Sequence, residues 1–356
     1  MSDRRTRLAK LNHRVLVPRL PRTTAYALLL TCVLALGAAV GSATQTGTAT
    51  VPVDEPITPI PETVDLNPDK VRLGERLFQD PALSHDDTIS CASCHRLDKG
   101  GDDDHVRSVG AEGRPLEFNT PTVFNAALSF RLNWRGNFRS LEEQNEATLL
   151  TAGLMNTSWE ELLPKLRSDR LYTGQFIELY GAGPQRESVL DALATYQRSL
   201  ITPNARFDRY LRGEHGAITP DEEQGYKLFK DNGCIACHQG VNVGGNLYQK
   251  FGIFSDPFAG QKTLTQADLG RFSITGVERD RHVFRVPSLR NVAVTAPYFH
   301  DGRTASLSAA VQIMARNQLG REIEAGDIDL IVKFLGTLTG EYRGRSLNEE
   351  AARPLR

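Results

Sequence analysis

Two five-residue stretches carry the chemistry of this chain: Cys91-Ala92-Ser93-Cys94-His95 and Cys234-Ile235-Ala236-Cys237-His238. Cys-x-x-Cys-His is the attachment signal for c-type haem. Two thiols must add to the two vinyl groups on one edge of a porphyrin, while an imidazole reaches the iron from one face. On a helical turn, residues i, i+3 and i+4 project together, which meets both demands. Zinc sites and thioredoxin-type redox pairs also use paired cysteines, but neither explains a histidine directly after the second cysteine, twice. The expectation is two covalently bound haem c groups, held by Cys91, Cys94 and His95 and by Cys234, Cys237 and His238.

The elements around each motif repeat. Gly74-Glu75-Arg76-Leu77-Phe78 precedes the first and Gly225-Tyr226-Lys227-Leu228-Phe229 the second. Gly100-Gly101 follows the first and Gly244-Gly245 the second. This is duplication of one haem-binding unit, with a period too long for a solenoid. Val71, Leu73, Leu77 and Phe78 predict a short amphipathic helix before the first motif. Asn119 to Ala127 reads as a turn entering a helix. Ser158-Trp159-Glu160-Glu161 is a capping box ahead of Leu162, Leu163 and Leu166. Ser188 with Asp191 opens another helix, whose buried face is Val189, Leu190, Leu193, Tyr196 and Leu200. Residues 240–287 hold no long periodic segment, so a loop region must wrap the second haem. Ile328, Ile331, Val332 and Leu335 mark a terminal helix stopped by Gly340. Strand signals are few. The expected fold is mainly α, two cytochrome c-like haem domains with long ordered loops.

Arg4, Arg5, Arg7, Lys10, Arg14, Arg19 and Arg22 precede an apolar run from Ala25 to Ala43, the pattern of an export signal. The run is also nearly long enough to span a bilayer, so 1–43 reads as an export signal or an inner-membrane anchor. Cys32 sits within this run, which leaves four cysteines for the two motifs. Residues 44–66, rich in Thr and Pro, read as an extended tether. An N-terminal domain over 67–213, a C-terminal domain over 214–340 and a tail over 341–356 complete the division. The expected location is the periplasm, where c-type haems are attached. Without the leader, the formal charge moves from −1 to −7, with 35 basic against 42 acidic residues. A mildly acidic body suits a small basic electron carrier as well as simple solubility, and it discourages nucleic-acid binding.

From about Pro68 to Gly340 the sequence resembles the bacterial di-haem cytochrome c peroxidase family, which includes the di-haem enzymes that mature methylamine dehydrogenase. The likeness rests on the two haem motifs, Asn119-Thr120-Pro121-Thr122-Val123, Trp134-Arg135-Gly136, Val286-Pro287-Ser288-Leu289-Arg290-Asn291, and Thr295-Ala296-Pro297-Tyr298-Phe299-His300-Asp301-Gly302. The resemblance implies a peroxide-reducing first haem on His95 and an electron-relay second haem on His238. It implies Met314 as the second distal ligand, a soft thioether that raises the potential. A core methionine on an amphipathic helix is the structural alternative for Met314. Trp134 matches the family's inter-haem tryptophan, and Asn119, Thr295 and Pro297 match positions around a calcium ion. The resemblance also implies hydrogen peroxide as substrate and a small c-type cytochrome or cupredoxin-like donor. A homodimer is a further implication.

Two positions depart from the family pattern. The usual distal histidine after a Ser-Ile/Val-Gly turn is Ala111 here, behind Ser108-Val109-Gly110. His105 is the nearby substitute, although a histidine in an aspartate-rich loop is ordinarily solvated. The acid–base glutamate expected ten residues after Gln144 is Leu154, followed by Met155. Gln144 then remains as a hydrogen-bonding catalytic group, and Glu146 is the nearest carboxylate. These features imply an exported di-haem peroxidase. The alternatives are a peroxide-dependent oxidase acting on a partner protein or small organic molecule, and a non-enzymatic electron carrier. Against the oxidase, enzymes that mature methylamine dehydrogenase carry a tyrosine at the place of Met314.

Overall fold

A computed structural model describes residues 55–261 and 263–351. The leader and Cys32 fall outside the described residues. The described chain belongs to one compact unit, Ala49–Arg356. Its helices are α1 (Pro68–Gln79), α2 (Cys91–Cys94), α3 (Leu141–Leu150), α4 (Trp159–Ser168), α5 (Arg170–Tyr180) and α6 (Arg186–Ser199). They continue as α7 (Arg206–Leu211), α8 (Pro220–Asp231), α9 (Phe272–Thr275), α10 (Leu307–Leu319), α11 (Ala325–Gly336) and α12 (Leu347–Ala351). Strand β1 (Tyr248–Lys250) pairs antiparallel with β2 (Val283–Arg285), and β3 (Glu341–Tyr342) with β4 (Arg345–Ser346). Among the described residues, no helix is long and apolar enough to cross a membrane.

Each half is built on one helix pair. Asn67 caps α1, its side chain accepting from the Asp69 amide at 2.9 Å and the Lys70 amide at 3.2 Å. Pro68 stands at the first helical position, where a missing N–H costs nothing. Leu73, Gly74, Leu77 and Phe78 form the buried face, which lies against α6. Gly74 is the point of closest approach: a Cβ there would meet the Ala192 carbonyl oxygen at 2.0 Å. Helix α8 repeats the design with a Thr219–Glu222 capping box and Pro220 at the start. Its Gly225 faces α11, and a Cβ there would meet the Leu330 carbonyl oxygen at 2.0 Å.

Two apolar clusters follow from these pairs. The first gathers Leu77, Phe78, Leu162, Phe176, Leu193 and Tyr196; the second gathers Phe207, Tyr226, Phe229, Ile331, Phe334 and Leu338. Phe207 and Leu211, ahead of residue 214, pack into the second cluster. So does Ile57, from the stretch expected to be a tether. Its described part, residues 55–66, is fastened: Ile57 is fully buried and bridges Gly240. Arg290 reaches it as well, donating to the Thr58 carbonyl at 2.9 Å and to Asp208 at 2.7 Å within a fully buried ion pair. The tail also returns. Leu347 is buried in the first cluster, and Tyr342 packs on Phe124 with ring centroids 5.0 Å apart.

Three local expectations change. Helix α6 begins at Arg186, because Ser188 occupies its third position and accepts from the Gln185 amide at 3.1 Å. The Asn119–Ala127 stretch enters no α-helix. Asn125 takes a left-handed conformation (φ 59°), a single 3₁₀ turn follows, and helix resumes only at Leu141. Helix α11 is not the last element. Its buried face uses Phe334, whereas Val332 is only half-buried.

Candidate haem-binding site

Both Cys-x-x-Cys-His motifs form helical turns. The first is α2, and the second is a 3₁₀ turn over Cys234–Ala236. In both, the histidine amide closes the turn on the first cysteine's carbonyl, at 2.9 Å for His95 and 3.0 Å for His238. The four motif cysteines form no disulfide, so each sulfur is available for a thioether. Burial raises the Cys91 thiol to about 12 and the Cys234 thiol to about 11, which keeps both protonated at neutral pH.

The two imidazoles are held alike. His95 Nδ1 lies 3.2 Å from the Gly101 carbonyl oxygen, and His238 Nδ1 lies 3.3 Å from that of Val243. With Nδ1 donating to a carbonyl, the lone pair resides on Nε2, the tautomer an iron ligand requires. Burial lowers both pKa values, that of His238 to about 4, so both rings are neutral. Phe78 sits 6.4 Å from His95, and Phe229 sits at the same separation from His238. Gly244 lets the loop close on the second ring, because a Cβ there would lie 3.3 Å from His238 Nδ1 and 2.2 Å from the Pro287 oxygen.

A cavity of about 870 Å³ opens onto both motifs. Its walls include all four cysteines, both histidines, Met314, Trp134, Gln144, Asn119, Thr295 and Pro297. The sequence-derived residues are therefore brought together. Neutral buried imidazoles, free thiols and apolar walls fit two covalently held porphyrins, each with a protein nitrogen available to the iron.

Trp134 is tied to both halves. Its indole N–H donates to the Asn119 carbonyl at 2.8 Å, and its own carbonyl accepts from the Arg285 amide at 3.0 Å. His300 answers it from the other half: its carbonyl accepts from the Asn119 amide at 2.8 Å, and its ring meets the indole edge-on at 6.5 Å. Buried Asp268 holds the His300 Nε2 at 2.8 Å. At the centre, the left-handed residues Asn125 and Asn291 share one hydroxyl. Asn125 Nδ2 donates to Thr202 Oγ1 at 2.7 Å and Asn291 Nδ2 to the same oxygen at 3.1 Å, with all three residues fully buried.

His105 stays outside. Its side chain is 70% exposed, and its Nδ1 lies 2.6 Å from the Asp103 carbonyl oxygen. Glu146 is also turned away. It accepts from Trp159 Nε1 at 2.9 Å and pairs with Arg186, whose hydrogen bonds hold its carboxyl below the usual range, with Trp159 helping. Ala111 is buried beside Leu154, its amide donating to the Leu154 carbonyl at 2.8 Å. Leu154 lines the cavity where the family pattern places a carboxylate.

Two acidic residues that sequence reasoning passed over also face the cavity. Asp102 is buried with Oδ1 lacking a partner, and burial together with neighbouring Asp104 raises its pKa to about 8. Glu117 keeps one oxygen unpartnered and sets the other 3.6 Å from Arg135. The only signal for Asp102 was its place directly after Gly100-Gly101, and Glu117 had none.

Residues 68–216 match the family model for di-haem cytochrome c peroxidase. The cytochrome c peroxidase Ccp of Escherichia coli (strain K12) is 42% identical over 290 residues, covering 81% of this chain; the chain spans 62% of that protein's length. The cytochrome c551 peroxidase of Nitrosomonas europaea is 38% identical over 309 residues, 86% of this chain and 90% of that one. Among solved structures, a MauG-like protein associated with microbial copper homeostasis superposes with a TM-score of 0.68 at 27% identity, over 82% of this chain and 95% of that one. The chain belongs to the di-haem cytochrome c peroxidase family and is an oxidoreductase of that type.

Proposed function

We propose that the chain reduces hydrogen peroxide to water outside the cytoplasm, taking electrons from a small c-type cytochrome or a cupredoxin-like carrier. The observation that carries this reading is the pair of buried, Nδ1-anchored imidazoles behind two haem motifs, opening onto one cavity that also holds Met314, Trp134 and Gln144. The two haems, when bound, supply one-electron uptake at the second site and peroxide cleavage at the first.

The chain's residues have these roles. Cys91, Cys94 and His95 would hold the first haem, and Cys234, Cys237 and His238 the second. Met314 would supply a further ligand to the second haem, a soft sulfur that would favour the ferrous form. Trp134, bonded to both halves, bridges the two sites. Gln144 presents an amide to the first distal pocket, where Ala111 and Leu154 offer no ligand and no carboxylate. Reduction of one peroxide consumes two electrons and two protons. With Leu154 in place of a positioned carboxylate, the protons reach the pocket from solvent, and turnover is slower by about 10²–10⁴-fold than general acid–base catalysis would allow. Asn119, Thr295 and Pro297 would hold a calcium ion, and unpartnered Asp102, which lines the same cavity, would ionise beside such a cation.

Ala111, which offers no ligand where the family pattern has a histidine, also favours a second reading, a peroxide-dependent oxidase of a partner protein or small organic molecule. Spectra of fully haem-loaded protein separate the two. Peroxidase activity requires a first haem that reacts with peroxide and then oxidises reduced cytochrome c. A long-lived oxidised state without cytochrome c turnover supports the oxidase. A first haem that ignores both peroxide and cyanide overturns both readings.

A further inference from the structure

A single shift in numbering carries the first distal loop and helix onto the second. It maps Asn125 to Asn291, both left-handed, and Thr122 to Ser288, whose hydroxyls donate to the Gly100 and Asn242 carbonyls at 2.6 and 2.7 Å. It maps the Leu132–Phe138 bridge to the Tyr298–Thr304 bridge. It maps Ser140 to Ser306, which cap α3 and α10 by accepting from the amides of Glu143 and Ala309, each at 3.2 Å. Both helices then begin on leucine, Leu141 and Leu307. In this register the residue of α3 that corresponds to Met314 is Thr148. It lines the cavity, as Met314 does.

Thr148 is also bonded in a directional way. Its hydroxyl donates to the Gln144 backbone carbonyl at 2.9 Å, so toward the Gln144 side chain it can only accept. The amide nitrogen of Gln144 therefore faces it, at 3.1 Å. That fixes the other end: Gln144 Oε1 is buried and has no protein partner. A buried acceptor without a donor is a place where a small hydroxylic ligand is satisfied.

We propose that Thr148 is the positioning residue that makes the first site a reaction site and not a second relay. Standing where the other unit carries a thioether, it has none, and its hydroxyl, engaged by Gln144, holds that side chain with Oε1 toward an incoming hydroperoxide O–H. The identity of that ligand rests on the peroxidase reading; the register that places Thr148 where the other unit carries Met314 does not.

The test uses the full chain with both haems loaded and two probes, cyanide and hydrogen peroxide. Thr148→Met should cap the first iron as Met314 caps the second, adding a second thioether-to-iron charge-transfer band and weakening cyanide binding at least tenfold. Thr148→Val keeps the shape and removes the hydroxyl. Cyanide should bind it as it binds wild type, while peroxide reacts about tenfold more slowly, the effect of one lost hydrogen bond. Thr148→Ser should restore the rate. Cyanide binding unchanged in Thr148→Met, or a wild-type peroxide rate in Thr148→Val, overturns the proposal. Should Thr148→Met fail to load haem, the valine and serine variants decide. Wild type that ignores peroxide while Thr148→Met blocks cyanide refutes the peroxidase reading and leaves standing only that Thr148 keeps the first haem open to small ligands.

Discussion

The two haem pockets share a plan and differ in what was inserted. Each has a glycine-notched helix before the motif, an imidazole pinned by a loop carbonyl, and a Ser-capped helix on the far side. In the first, α4 and α5 intervene between the far helix and its partner α6; in the second, α11 follows α10 directly. The second instead carries its extra chain between the motif and the Pro287 loop, as β1, α9 and β2. The scaffold that binds a porphyrin was thus kept, while chemistry was varied through a few side chains facing the distal side. Met314 against Thr148 is the sharpest of these differences, and Leu154 is the next.

The largest expected effect lies at the second pocket. Met314→Ala should leave that haem attached, open it to cyanide and lower its potential, because the thioether that favours ferrous iron is gone. Redox titration with parallel ligand binding measures this, and a second haem still closed to cyanide would remove Met314 from the ligand set. Next comes Asp208→Asn, which strands the fully buried Arg290 guanidinium. Loss of one partner of such a pair costs about 3–5 kcal/mol. Thermal melts should show this, with the second haem's spectrum perturbed before the first's. Gly74→Ala and Gly225→Ala should each cost about 1–3 kcal/mol by overpacking. Each should loosen its own haem, and equal disturbance of both haems by either variant would contradict the two-pocket plan.

The smallest effect separates Glu146 from the chemistry. Its carboxyl is held below the ordinary value by Arg186, so its stabilising contribution is full above the unfolded-state pKa and is lost as pH falls through the lowered folded value. Glu146→Gln should therefore melt slightly earlier than wild type at neutral pH, by no more than about 1 kcal/mol for so exposed a pair. The gap should close under acid, with the peroxide rate unchanged throughout. A collapse in that rate would return Glu146 to the active site.

Much of the site was legible because haem attachment fixes residue types at fixed spacing. The motifs and their preceding helices were read from covalent and packing demands that few other residues satisfy, and Met314 only from the family resemblance. Thr148 was not, because the insertions before and after the haem motifs break the register by which it aligns with Met314. Asn125, Asn291 and Thr202 were hidden for a different reason. A buried amide network in loops has no periodicity, and only the left-handed backbone at both asparagines shows that they are equivalent. The start of α6 was misread because Ser188 is a better cap than Gln185 by residue type, and only the fold shows which amide it serves.

The hydroxyl of Thr202 is a single rivet through two copies of the same part. Sliding one half over the other would strip both asparagine amides of their partner together, deep where no water can replace it. The offset between the two copies of the asparagine turn is therefore pinned at one buried hydroxyl.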